Sequence, residues 1–303
     1  MTDRVTALEV FVAIVEQNGF ARAARALHMS PAMVSTHMTR LEERLGVLLL
    51  KRTTRRVEPT QHGRQFLEEA RHILSALAAA EAGLQSGGRP AGIVRIDAPA
   101  SLGITFIVPA IPAFRKAYPN IILNLSLGDR GTIFRADDFD IVVRVGEVPS
   151  TDAVTQKLGH TRFVQVAAPA YLARHPAPAA PEDLLRHSCL TYASSSVGEE
   201  TRWRMHRNGE TRWLRPHATL LLNDGQAMRD AAVLGIGIVQ TLEMLVADAL
   251  ADGRLQRVLD EWNRNPVPVY QLSPHGRVER AAVQAVRRFL AEAIDWDPFR
   301  LNA

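Results

Sequence analysis

Ala32, Ser35, Thr36, Thr39 and Arg40 share one face of a helical segment that opens with Ser30-Pro31. Three of these side chains carry hydroxyls and one a guanidinium. Such groups at this spacing suit hydrogen bonds to base edges and phosphates in a duplex major groove. A second run follows closely: Lys51, Arg52, Thr53, Thr54, Arg55 and Arg56 place four cations in six residues. Cations at that density neutralise phosphates, adding affinity with little base discrimination. Arg22, upstream, belongs to the same candidate set. Between Gly19 and Arg64 nine Lys/Arg face three acids, although the whole chain of 303 residues has a formal net charge of only +4. A small basic module on a near-neutral body is the pattern of a nucleic-acid reader with a second task.

The second set of candidates lies at the ends of expected strands, outside which a doubly wound sheet collects its ligands, often at helix N-termini. Ser101 and Leu102 follow a strand at 93–98. Asp129 follows one at 121–127, and Arg144 and Gly146 end one at 140–145. Asn223, Asp224 and Gly225 lead from a strand into a helix, and Gly237 permits close backbone approach. Ser101 is expected to cap the next helix and aim its N–H groups at a carboxylate, two roles that are compatible. Arg144 is expected either to meet an anionic ligand or to pair with Asp140 or Asp129. Asp224 is an expected N-cap that also faces the cleft. A small carboxylate is the ligand class these groups suit.

No Walker loop, His-Glu-x-x-His or Gly-x-Ser-x-Gly motif occurs, so neither an enzyme nor a bound cofactor or metal is expected. His187 and Cys189 are close in sequence but lack the further ligands of a zinc site. Cys189 is the one cysteine, which excludes an intramolecular disulfide and reads best as a small buried apolar residue. Trp203 and Trp213 flank a basic stretch, Arg202–Arg215, expected to be a surface strand pair. There is no apolar leader and no run of about 20 apolar residues, so a cytoplasmic protein without a membrane partner is expected.

Periodicity supplies the elements that must hold these groups. Leu8, Phe11, Val12 and Val15 mark a helix over 4–17 that stops at Asn18-Gly19, with glycine expected left-handed. Phe20, Ala23, Ala24 and Leu27 mark a second, and His28-Met29 the turn. The third begins with Ser30 as N-cap and Pro31 at its first position, buries Val34, Met38, Leu41 and Leu45, and stops at Gly46. Two helices joined this way form a helix-turn-helix. Residues 48–58 read as a hairpin wing with a basic tip. Thr60 caps a long helix whose seam, Phe66, Ala70, Ile73, Leu77, Ala80 and Leu84, spans nearly three heptads. Dimerisation through it is favoured over packing on its own body. Residues 86–92 are Gly-rich and flexible by composition. Beyond them strands at 93–98, 121–127, 140–145, 164–168, 219–222, 236–240 and 267–272 alternate with helices at 109–118, 225–234 and 277–294. That alternation implies an α/β fold with a mostly parallel sheet. The expected domains are 1–60, a winged helix-turn-helix; 61–86, a dimerisation linker helix; 87–92, a hinge; and 93–303, a regulatory domain.

Residues 19–63 resemble the LysR-type transcriptional regulators. Ala23-Ala24, Leu27, Ser30, Ser35, Leu41-Glu42, Leu45-Gly46, Arg52 and Thr60-x-x-Gly63 match in order. Phe139–Gly146, Ala168–Leu172, Pro181–Leu184 and Gly235-Ile236-Gly237 extend the likeness along the whole chain. His37-Met38 and Gln61-His62 depart from the family pattern and bear on local contacts and base preference. The resemblance implies a two-lobed effector domain like a periplasmic solute-binding protein, a homotetramer built from two dimers, operator DNA as partner and control of nearby operons. RNA polymerase is a further expected contact. The rival readings are a solute-binding protein, an enzyme and an architectural DNA binder without a ligand.

Overall fold

The computed structural model describes residues 4–52, 57–85, 89–128, 139–147, 153–193, 202–274 and 280–297. The chain divides into two compact units, Met1–Ile93 and Val94–Ala303.

The first unit holds helices α1 (Arg4–Glu16), α2 (Phe20–Ala26) and α3 (Pro31–Leu45), the two-stranded wing β1 (Leu50–Arg52) and β2 (Val57–Pro59), and the long helix α4 (Gln61–Gln85). Its core is Leu8, Val10, Phe11 and Ile14 of α1 with Ala23, Ala24, Val34, Met38, Leu41, Leu49, Leu50, Leu67 and Ala70. Alanines on α2 let three helices converge. At the end of α1 it is Asn18 that turns left-handed (φ 51°), while Gly19 is at φ 155°; the expected left-handed stop therefore falls one residue earlier. Gly46 ends α3 left-handed at φ 69°. Leu45, expected in the core, is 38% exposed at the last turn of α3.

The junction between α3, wing and α4 explains the Thr60-x-x-Gly63 pattern. Thr60 Oγ1 accepts the Gly63 N–H (2.9 Å) and donates to the Leu48 carbonyl (2.8 Å). A Cβ on Gly63 would lie 2.0 Å from the Leu49 carbonyl oxygen, so only glycine lets α4 start there. The buried Glu42 carboxylate takes the N–H groups of Leu49 (2.7 Å) and Leu50 (3.0 Å), tying α3 to the wing.

The heptad seam of α4 serves two faces. Phe66 packs on Phe11 (ring centroids 5.6 Å apart), and Leu67, Ala70 and Leu74 join the helical core. Ile73 and Leu77 are exposed, at 50% and 38%, as is Ala80.

The second unit has two five-stranded sheets. Lobe I runs in the order β4 (Ile121–Leu127), β3 (Gly92–Ala98), β5 (Ile141–Val145), β14 (Val267–Pro274), β6 (Ala153–Thr161). Lobe II runs β11 (Ala218–Leu222), β8 (Cys189–Tyr192), β12 (Ile238–Leu242), β7 (Phe163–Ala167), β13 (Gln256–Val258). A separate hairpin, β9 (Trp203–Arg207) and β10 (Glu210–Leu214), is the expected strand pair. Around the sheets lie α5 (Ala100–Leu102), a π-turn at Gly103–Ile107, α6 (Val108–Ala117), α7 (Pro169–Leu172), a 3₁₀ turn at Pro181–Arg186, α8 (Gly225–Val233), α9 (Glu243–Ala251) and α10 (Ala281–Glu292). The π-turn leads directly into Pro109 and Pro112, whose rings cannot close ordinary helical turns.

The sheets are mixed, which corrects the expectation of a mostly parallel one. β3 is parallel to β5, and β8 to β11 and β12. The strands beside the lobe crossings reverse: β14 is antiparallel to β5 and β6, and β7 to β12 and β13. The chain enters lobe II through Arg162, between β6 and β7, and returns before β14. β12 starts two residues later than expected because Gly235 (φ 72°) and Ile236 close the C-terminus of α8, donating to the Ala232 and Ala231 carbonyls.

Glu243 fastens the crossing. Its buried carboxylate binds Arg162 at 2.6 and 2.8 Å and Arg257 at 2.7 and 2.9 Å. Met244 and Leu245, next on α9, are buried in the lobe I core. Burial alone would raise the Glu243 pKa; the hydrogen bonds from Arg162 and Arg257 outweigh it and hold the acid below its ordinary range. A depressed folded-state pKa stabilises above the unfolded value and loses that contribution as pH falls through the folded one. Glu243→Gln should therefore cost about 3–5 kcal/mol near pH 7. In denaturant unfolding at stepped pH, the gap to the parent protein should close below about pH 4; a gap constant with pH would contradict the clamp.

Candidate nucleic-acid interface and ligand cavity

In the first unit, Ser30 occupies the N-cap of α3 and its Oγ accepts the Met33 N–H (3.2 Å). Pro31 follows, without an N–H to satisfy. With the inner face of α3 buried on α1 and α2, Pro31, Ala32, Thr36, Thr39 and Arg40 are exposed and Ser35 is half-buried. Two candidate groups are already engaged locally. Thr36 Oγ1 donates to the Ala32 carbonyl (2.9 Å), and Arg22 donates to the Asn18 carbonyl at the end of α1 (2.6 Å). Met33, half exposed, stands three and seven positions before Thr36 and Arg40 and so shares their face. It was passed over because methionine carries no polar group, yet its thioether can pack on a thymine methyl. Lys51 is exposed in β1 and Arg52 ends that strand. Thr53, Thr54, Arg55 and Arg56 lie outside the described residues.

In the second unit, the strand-end candidates separate. Ser101 is not a cap: Pro99 holds that position, and Ser101 is buried inside α5. A Cβ on Gly225 would lie 3.1 Å from Ser101 Oγ, so α5 and the start of α8 are packed together. Leu102 is fully buried in the lobe I core and is a packing residue. Asp224 caps α8, accepting the Ala227 N–H at 2.8 Å. Arg144 does not pair with Asp140, one of its two expected partners. It binds the buried Asp97 at 2.6 Å, while Asp140 is held by Arg280 (2.6 Å) and by the Arg95 N–H (2.8 Å). The buried Gly237 fits against Ser188, where a Cβ would be 2.3 Å from the carbonyl oxygen; it precedes β12, at the opposite end of that strand from the ligand edge. Asp129 lies outside the described residues.

A cavity of about 640 Å³ opens beside the lobe crossings. Gly146 lines it from lobe I with Glu147, and Pro266, Val267 and Pro268 line it from the returning crossing. Lobe II contributes Phe163, Tyr192, Arg202, Trp203, Arg204, His206, Gln240 and Asn263. The expected Asn223 adjoins it, its carbonyl accepting the Tyr192 hydroxyl at 3.0 Å. Of the lobe II groups that were missed, Phe163, Tyr192 and Gln240 lie in core strands, and Arg202, Trp203, Arg204 and His206 come from the β9 hairpin; the alternation Arg202, Arg204, His206 was the available signal.

His187 takes part in a tyrosine cluster, with Nδ1 3.1 Å from the Tyr171 hydroxyl. Among the described residues no three His, Cys, Asp or Glu side chains converge as metal ligands do, and no helix is long and apolar enough to cross a membrane. Cys189 is fully buried, and burial pushes its thiol up to about 12.

A helix-turn-helix with wing, followed in the chain by a two-lobed α/β unit with a cavity beside the lobe crossings, defines a transcription regulator that responds to a small molecule. The model for the bacterial regulatory helix-turn-helix protein, lysR family, matches residues 5–64, and that for the LysR substrate binding domain matches 87–295. The chain belongs to the LysR family of DNA-binding transcription regulators. It is 32% identical over 302 residues to an HTH-type transcriptional regulator of Xanthomonas campestris pv. campestris, covering 98% of this chain and 87% of that one. It is 34% identical over 256 residues to the HTH-type transcriptional regulator CrgA of Neisseria meningitidis serogroup C, covering 84% of each. The solved structure of CrgA from Neisseria meningitidis, 29% identical, superposes with a TM-score of 0.61 over 97% of this chain and 99% of that one.

With its thiol near 12, Cys189 should be about one part in 10⁴ thiolate at pH 8. Iodoacetamide should leave the native protein unlabelled over hours and label it in denaturant. Rapid native labelling would show an exposed, reactive thiol instead.

Proposed function

We propose that the chain reads duplex operator DNA with the outer face of α3 and the wing, and changes its DNA occupancy when a small carboxylate binds in its regulatory domain. Residues 1–60 form the DNA-binding domain, 61–86 the dimerisation helix, 87–92 the hinge and 93–303 the regulatory domain. The protein works in the cytoplasm as a pair of dimers and is no enzyme; RNA polymerase is the further partner this class of regulator implies. The observation that carries the reading is the division of α3: its inner face is consumed in the core, and its outer face holds hydroxyls, Met33 and Arg40 beside a basic wing. The exposed α4 stripe of Ile73, Leu77 and Ala80, which the chain's own helical core leaves uncovered, supports the dimer.

Fluorescence anisotropy on a duplex from upstream of the protein's own gene tests this. With six to ten phosphate contacts per dimer, affinity should fall about 10³–10⁵-fold between 50 and 200 mM salt. Arg40→Ala should cost about 1–3 kcal/mol on that duplex and less on a random one. Equal affinity for both duplexes, or insensitivity to salt, would refute the reading. Leu77→Asp should shift the protein toward monomer in analytical ultracentrifugation and weaken DNA binding with it.

A further inference from the structure

His37 departs from the LysR pattern, and neither the core nor the outer face of α3 has yet accounted for it. It stands four residues after Met33 and three before Arg40, so it is a surface neighbour of both on the helix. Three residues before it and four after it stand Val34 and Leu41, which are buried in the helical core. His37 therefore lies on the seam between the two faces, and it is half-buried.

The imidazole points across that seam. Nδ1 is sealed from solvent and has no hydrogen-bond partner among the described residues. Nε2 is not sealed, and no described residue binds it. A neutral imidazole carries one N–H. On Nδ1 that hydrogen would be enclosed without an acceptor, and orphaned N–H groups are rarer in proteins than under-used acceptors. The hydrogen therefore belongs on Nε2, where it meets water in the free protein and an acceptor in a complex. His37 shows the outside a single donor at a fixed place on the helix.

A single donor discriminates between bases. In the major groove guanine offers two adjacent acceptors, N7 and O6. Adenine sets a donor beside its N7, and cytosine offers a donor alone. The recognition helix of a helix-turn-helix meets base edges with its N-terminal residues. His37 is the seventh of the 15 residues of α3, beside Met33 and Arg40. We propose that His37 is a specificity-determining residue of the DNA contact, its Nε2–H donating to the N7/O6 edge of one guanine in each half-site. This assignment rests on α3 being the DNA-reading helix, as proposed above, and gives that helix a base and an atom.

Selection of duplexes from a randomised library by the full-length protein, followed by sequencing, gives its base preferences. Anisotropy on the selected duplex and on a random one gives the affinities. His37→Ala should erase the preference for guanine at one position per half-site and leave the other positions as they were. It should bind the selected duplex about tenfold more weakly and the random one as before. His37→Gln, whose amide both donates and accepts, should move the preference at that position to adenine. If His37→Ala does not fold, the shift in His37→Gln decides the matter alone. Unchanged preferences in the variants would overturn the assignment. So would an equal loss on both duplexes, the mark of a phosphate contact or a packing role. If the unaltered protein enriches no sequence at all, the reading of α3 itself fails, and this assignment with it.

Discussion

A carboxylate taken out of water must find full partners, and the second unit is organised around one that does. Glu243 gathers Arg162 from the entry into lobe II and Arg257 from β13, while the residues after it enter the lobe I core. The same constraint recurs at other junctions. Glu42 joins α3 to the wing, and Asp140 joins β3 to Arg280. In each case a buried acid binds a group on another element. Removing one partner strands a charge, so these contacts specify which elements meet even where their net contribution to stability is small.

This has a consequence for ligand recognition. Arg144 and Asp224 are charged groups at strand ends, where ligands of doubly wound sheets gather, yet both are committed internally. Among the described residues, Arg202 and Arg204 beside the cavity are exposed and held by no acid. A ligand that changes DNA binding must favour one state of the protein over another, and it shifts the equilibrium only by that difference in affinity. A cavity lined from lobe I, lobe II and the returning crossing is well placed to sense such a difference.

Much of the first unit was legible in its sequence because its signals are local. Ser30, Pro31, Thr60 and Gly46 announce helix ends by their own side-chain chemistry, and alanine-rich α2 announces close packing. The strands at 121–127 and 140–145 stood out as short runs rich in Ile, Leu and Val. Non-local facts did not. β14 and β7 look like any other strand, and nothing in their residues says that they run antiparallel to their neighbours. Ser101 has the chemistry of a cap, but Pro99 takes the position. Gly237 suggests openness to a ligand, whereas its missing Cβ makes room for the Ser188 carbonyl. The heptad seam of α4 read as one surface; Phe66 and Ala70 are spent on α1, and the exposed part begins at Ile73.

The central claim is that one chain couples occupancy of the regulatory cavity to the way α3 and the wing hold DNA. Footprinting of the DNA upstream of its own gene, with and without a small molecule shown by titration to saturate the regulatory domain, measures that coupling directly. The account predicts a ligand-dependent change in the length or spacing of the protected segment. An identical footprint at full cavity occupancy would contradict it.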